Sequence, residues 1–247
     1  MDEKKIAKLF EPITHFISSF EAEKDLTKAL AFRDKRILQG EQTPSILFHM
    51  LPIKKHEDII QYNSAKEIFE AIKEIPTSGG YSKFCYEGYF LCQYPEGSIN
   101  EHAILWKNGS CEIFLEISIQ EHEKRNYLCG LHENERKIFT ATKAILNIYE
   151  NYSISPPFAL FYTLRGVKGT TLPNTPFRLK VGKQQIDVSV PAPSLLNQEI
   201  YCIPPSILQK NNAIDLEEKL KPIFDRIWNA LGHSHSINWD SQGRYVE

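Results

Sequence analysis

Apolar positions along the chain fall into two periods, one helical (about 3.6) and one strand-like (about 2). Residues 3–20 carry Ile6, Leu9, Phe10, Ile13, Phe16, Ile17 and Phe20, which predicts a helix bent or divided at Pro12. A shorter helical pattern covers Lys24 to Phe32, and Ser64 to Ile75 predicts a helix with Ser64 and Glu67 as a capping box. Asn134 to Tyr152 repeats Ile138, Ala141, Ile145, Ile148 and Tyr149, the signature of a long central helix stopped by Pro156-Pro157. Ile214 to Leu231 predicts a last amphipathic helix with Gly232 as its stop.

Strand patterns lie between these. Ser45 to Ile53 (SILFHMLPI) is a continuous apolar run, read as a buried strand. Lys83 to Tyr94 is rich in aromatics around Gly88 and predicts one strand with a bulge or bend. Glu101 to Trp106 and Cys111 to Ser118 flank Asn108-Gly109, a strong short-range hairpin signal. Phe158 to Leu164 and Gln185 to Val190 are further strands, and Gly166 to Pro176 is a loop. Helices and strands do not alternate regularly. The order predicts an α+β fold: a mostly antiparallel sheet with a central hairpin, helices at both ends and one long central helix. We read residues 1–247 as one domain, with a helical segment over 1–40 and the sheet-containing body over 41–247.

If Asn108-Gly109 forms a two-residue turn, Leu105 faces Glu112, Ile104 faces Ile113 and Glu101 faces Glu116. Trp106, Ile104 and His102 then point into the core with Cys111, Ile113 and Leu115. Glu112 and Glu116 share the wet face, roughly 13 Å apart along the strand, too far to hold one ion together. Glu101, Glu112 and Glu116 are nevertheless the acids that a metal-dependent nuclease or phosphoesterase would use. The expected reading is a solvated face.

Composition changes this picture little. A hydrophobic share of 42%, a charged share of 24% and a net charge of −2 are those of an ordinary globular chain. Five cysteines without CxxC spacing predict reduced thiols and a cytoplasmic location. No apolar run approaches the roughly 20 residues of a membrane helix. The chain has no GxSxG, HExxH or GxxxxGK[ST] motif. His233, His235 and Asp240, after the last helix, are the candidate metal ligands, but they lack a second ligand pair with zinc spacing. No cofactor is expected.

Charge distribution says more than any motif. Asn151 to Ile186 holds no acidic residue but does hold Arg165, Lys168, Arg178, Lys180 and Lys183, with Tyr162 and Phe177 nearby. Cations beside aromatics suit a phosphate backbone with stacked bases. The competing reading is a strand edge on which lysines discourage pairing.

Several fragments together carry a resemblance: PSILFHMLPI, YSKFCYEGYFL, AILWKNGSCEIF, ISPPFALFYTLRGVKG and IWNALGHSHSINWDSQGRY. In this order they resemble the C-terminal region of bacterial proteins whose N-terminus carries a divergent Alba-type, Schlafen-like nucleic-acid-binding domain. FRDKRILQGEQTP resembles the segment that connects the two. Only about thirty residues precede that segment, so the nucleic-acid-binding domain itself is expected to be missing. The resemblance implies no catalytic residues. It implies a C-terminal module that works with a separate nucleic-acid-binding or defence partner. The reading preferred from the chain as a whole is a non-enzymatic binding or accessory module that contacts a protein partner or a second copy of itself, with nucleic acid contacted through residues 165–183 and no membrane.

Overall fold

The computed structural model describes residues 43–53, 81–85, 88–93, 101–122, 124–172, 177–181, 184–188, 196–240 and 242–246, with Thr27 and Ala31. The helices expected over 3–20 and 64–75 lie outside these residues. Within the one expected over 24–32, Thr27 and Ala31 are helical.

Among the described residues, twelve strands and two long helices follow in the order β1 (Ser45–Pro52), β2 (Tyr81–Cys85), β3 (Gly88–Gln93), β4 (Glu101–Trp106), β5 (Cys111–Glu116), β6 (Ser118–His122), β7 (Arg125–Cys129), α1 (Leu131–Asn151), β8 (Phe158–Arg165), β9 (Thr170–Thr171), β10 (Phe177–Val181), β11 (Gln184–Val188), β12 (Ile200–Leu208) and α2 (Ala213–Ala230). Seven strands form the main sheet, in the order β12-β8-β1-β5-β4-β3-β2. Every pair within it is antiparallel. Among the described residues β10 pairs with β11 alone, and β6, β7 and β9 form a small mixed sheet. The architecture is α+β, as the segment order predicts.

Local chemistry explains the elements. The apolar run of β1 reads as a buried strand because it lies between β5 and β8 at the centre of the sheet. The residues of α1 that repeat at helical spacing are its buried stripe, including Ile138, Ala141, Ile145 and Tyr149. At the start of α2, the Asn212 side chain accepts from Asp215 N–H at 2.8 Å. β12, at one end of the order, contains Pro204-Pro205 where its register with β8 shifts, a feature typical of edge strands.

Two expectations fail here. The aromatic stretch from Lys83 is a hairpin of two strands, with Cys85 opposite Gly88. Gly88 is required for close approach: a Cβ there would lie 2.3 Å from Leu105 O on β4. The second failure is the central hairpin's register. Gly109 N–H donates to Trp106 O and Trp106 N–H to Ser110 O, both at 2.9 Å, and Gly109 has φ 80°. This is a three-residue loop ending in a left-handed glycine. Leu105 therefore faces Cys111, Ala103 faces Ile113 and Glu101 faces Leu115.

A one-residue slip turns a strand over. Ala103 and Leu105 are the core residues of β4, while His102, Ile104 and Trp106 face the other way. The core lies between the helices and the sheet face that carries Ile46, Phe48 and Met50 of β1. The opposite face is also buried at the sheet's centre: Leu47, His49, Phe161 and Thr163 are at most 3% exposed.

Candidate functional site

The slipped register brings polar groups together on the face away from the helices. His49 on β1 lies directly opposite Glu112 on β5, and Ile104 on β4 flanks Glu112 from the other side. His102, two residues from Ile104, reaches diagonally to the same carboxylate. His49 Nε2–H donates to Glu112 Oε2 at 2.9 Å and His102 Nε2–H donates to Oε1 at 3.1 Å. Glu112 is 1% exposed, so the wet-side reading of this residue is overturned. Because a carboxylate is the shared acceptor, both imidazoles carry a proton on Nε2, which fixes their tautomers. Beneath the cluster, burial first and Glu112 second push the Cys111 thiol well above its ordinary range.

Arg165 joins this face. It was expected on an anion-facing surface, but it is 5% exposed. Its Nε–H donates to Ser45 Oγ at 3.2 Å, and its guanidinium lies 5.6 Å from the Phe114 ring centroid. Phe114 stacks on His102 at 4.8 Å with planes 5° apart. Thr163, two residues before Arg165, is fully buried, and its hydroxyl has no hydrogen-bond partner among the described residues. Tyr162, expected beside the cations as a stacking ring, is instead fully buried in the core.

The other basic candidates are scattered. Lys168 is exposed in the turn after β8. Arg178 and Lys180 lie on β10, opposite Asp187 and Gln185. Lys183 lies outside the described residues.

The acids diverge. Glu101 is not opposite Glu116; its Oε1 accepts from Lys137 Nζ at 2.6 Å on α1. Burial pushes its carboxyl up, Lys137 opposes this, and Glu116 and Glu133 add like-charge repulsion. Glu133 itself is held low by the Arg136 guanidinium. Lys137 is thus the lysine beside an acid that a nuclease reading asks for, and the sequence did not point to it. Among the described residues, however, no three His, Cys, Asp or Glu side chains are placed to hold one metal ion.

The tail candidates are also not brought together. His233 packs edge-on against Trp228, and His235 Nδ1 meets Ser234 Oγ at 2.7 Å. Asp240 accepts from Gln242 N–H, Arg244 N–H and Arg244 Nε–H, and these bonds hold its carboxyl low.

A buried carboxylate that the sequence did not single out does most to hold this tail. Glu135 on α1 is 0% exposed. It accepts from Trp228 Nε1–H at 2.8 Å, Ser236 Oγ–H at 2.6 Å and Asn238 Nδ2–H at 3.1 Å. Burial drives its pKa up to about 8 despite those three donors, with Asp225 pushing the same way. The tail then forms a short hairpin, with Asp240 N–H on Arg244 O and Val246 N–H on Asn238 O, both at 2.9 Å. Tyr245 stacks on Phe139 of α1 at 3.9 Å.

No family model matches this chain, and no curated protein or solved structure matches it either.

Proposed function

We propose that this chain is a non-enzymatic binding or accessory module that contacts a partner protein and touches nucleic acid through the β10–β11 ribbon. The observation that carries the reading is the latched C-terminal hairpin. Glu135 and the ring of Phe139 hold it rigidly against α1, so what it presents is presented in one conformation. It presents Ile237, 44% exposed, and Val246, 52% exposed. Asn238, next to Ile237, accepts from Val246 N–H, so the two apolar residues are near neighbours. Pre-ordered apolar contacts of this kind lose little entropy on association. The likeness to a C-terminal accessory region in the Alba-type group points the same way.

The test compares the wild-type chain with an Ile237→Ser/Val246→Ser variant, each purified from its native host with its bound proteins. The variant should lose a protein that the wild type retains, or lose self-association in light scattering, without any change in melting temperature. Identical recovery and identical mass would sink the reading.

The alternative, a metal-dependent nuclease or phosphoesterase, is supported by Lys137 on Glu101 with Glu116 and Glu133 in its field. Magnesium titration of the wild type and of Glu101→Gln decides it: that reading requires heat that the variant lacks.

A further inference from the structure

We propose that the C-terminal hairpin is a pH-operated strap, which Glu135 closes onto α1 and α2 in acid and releases as the pH rises. The hairpin can leave as a unit. Leu231 N–H donates to Ile227 O at 3.1 Å, Gly232 N–H to Asn229 O at 3.0 Å and His233 N–H to Trp228 O at 2.8 Å, so α2 is capped before the tail begins. Gly232, at φ 89°, is the turning point between them. Within the tail, Trp239 pairs with Tyr245. Among the described residues, departure of the hairpin breaks no backbone bond of the seven-stranded sheet and leaves α2 capped. Such self-contained units open locally more easily than the core unfolds.

The contacts that hold the hairpin down converge on one carboxylate. Ser236 Oγ–H and Asn238 Nδ2–H both donate to Glu135 Oε2. Asn238 Nδ2–H also donates to His132 O, and Ser236 N–H to Asp225 Oδ1 at 2.9 Å. Phe139, one helical turn after Glu135, takes the ring of Tyr245 and the edge of Trp239, and Phe224 meets Trp239 from α2. The three donors that Glu135 meets, Trp228 among them, are all neutral. The titratable and charged groups around it bring no cation onto it. On α1, His132 offers the tail its backbone carbonyl. On α2, Lys221 pairs with Asp225, whose charge pushes Glu135 the same way as burial does. On β8 stands Tyr162, its phenol pushed up by burial first and by Glu135 second. In the tail, His233 packs on Trp228 with its imidazole held low by burial, and Asp240 pairs with Arg244. A buried carboxylate so placed keeps its proton until water reaches it. Closed, Glu135 titrates at about 8; opened to water, it returns toward 4.5. Between those values closing takes up a proton, so the open fraction grows about tenfold per pH unit and levels off above about 8. The closed strap is the state that presents Ile237 and Val246 together, but the opening needs no partner and is tested without one.

Amide hydrogen exchange of the full chain, followed by NMR from pH 5 to 9 and corrected for the intrinsic rate at each pH, tests this. Ser236 N–H reports the strap, because its bond crosses from the tail to Asp225, and the amides of β8 report the body. The opening constant at Ser236 should exceed that of β8 by about tenfold or more. It should rise about tenfold per unit up to pH 7.5 and level off above 8. Glu135→Gln should remove that rise, and the histidines, present in both proteins, cancel in the comparison. Tyr245→Ala, which keeps Glu135 and removes the stack on Phe139, should raise opening at Ser236 by roughly tenfold at every pH and leave β8 unchanged. The proposal is overturned by equal opening constants at Ser236 and β8, by a flat Ser236 profile in the wild type, by the same rise in Glu135→Gln, or by Tyr245→Ala loosening β8 as much as Ser236.

Discussion

Gly109, at φ 80°, accounts for much of what the central hairpin does. As the left-handed residue of a three-residue loop it moves the register by one place, and that alone carries His102 onto the face of Glu112. Asn-Gly in the sequence shows that a hairpin exists; it does not count the loop residues. Glu112 therefore looked like a surface residue, because strand alternation names a face without saying whether that face is wet. Two imidazoles contributed from β1 and β4 settle the matter. Glu112→Ala should then cost about 3 kcal/mol or more in urea unfolding, since it strands the buried His49 N–H and the partly buried His102 N–H. Glu112→Gln should cost less, because its amide oxygen still accepts from one ring and the other ring can change tautomer. A true surface glutamate would give changes within about 0.5 kcal/mol for both. That outcome would refute the buried arrangement.

At the scale of elements, the strongly periodic segments were legible: β1, α1, β8 and α2 all lie within a few residues of their predicted spans. The small mixed sheet, β12 and the latched tail were not. Their contacts join distant segments, and β12 carries a Pro-Pro pair that reads as a break. The latch depends on Glu135, which meets donors from α2 and the tail and sits in a mostly apolar helical stripe. Its pKa rises from 4.5 to about 8 on folding. Between those values the folded chain holds a proton that the unfolded chain has released, so this group's contribution is complete below 4.5 and is lost as pH rises through about 8. The wild type minus Glu135→Gln difference in unfolding free energy should fall with rising pH, by on the order of 1 kcal/mol per unit. Glu101 shifts in the same direction, and Glu133 and Asp240 in the opposite one, but all three cancel in the difference. A flat difference curve from pH 5 to 8 would mean that Glu135 is ionised in the folded chain throughout.

At the scale of the whole molecule, one sheet carries apolar packing on its helix side and a buried polar cluster on the other. Neither cluster was visible in the sequence, because His49 and Glu112 are 63 residues apart, and Trp228 and Glu135 are 93 apart. The basic stretch was visible, and the fold divides it. Arg165 belongs to the main sheet, whereas Arg178 and Lys180 belong to the separate two-stranded β10–β11 ribbon. The chain that leaves β9 for the ribbon is closed behind it: Leu196 N–H donates to Thr170 O at 2.9 Å and Gly169 N–H to Leu196 O at 2.8 Å. Phe177 and Val188 face each other at the end of the ribbon's register, so an Asn-Gly turn can join them directly. Replacing residues 178–187 with Asn-Gly should therefore leave the thermal unfolding transition cooperative and its free energy within about 0.5 kcal/mol. The same variant should lose affinity for labelled nucleic acid at low salt, with a shallower salt dependence for whatever binding remains. A broadened transition would show that the ribbon is part of the cooperative core, and undiminished nucleic-acid affinity would remove the ribbon from the interface.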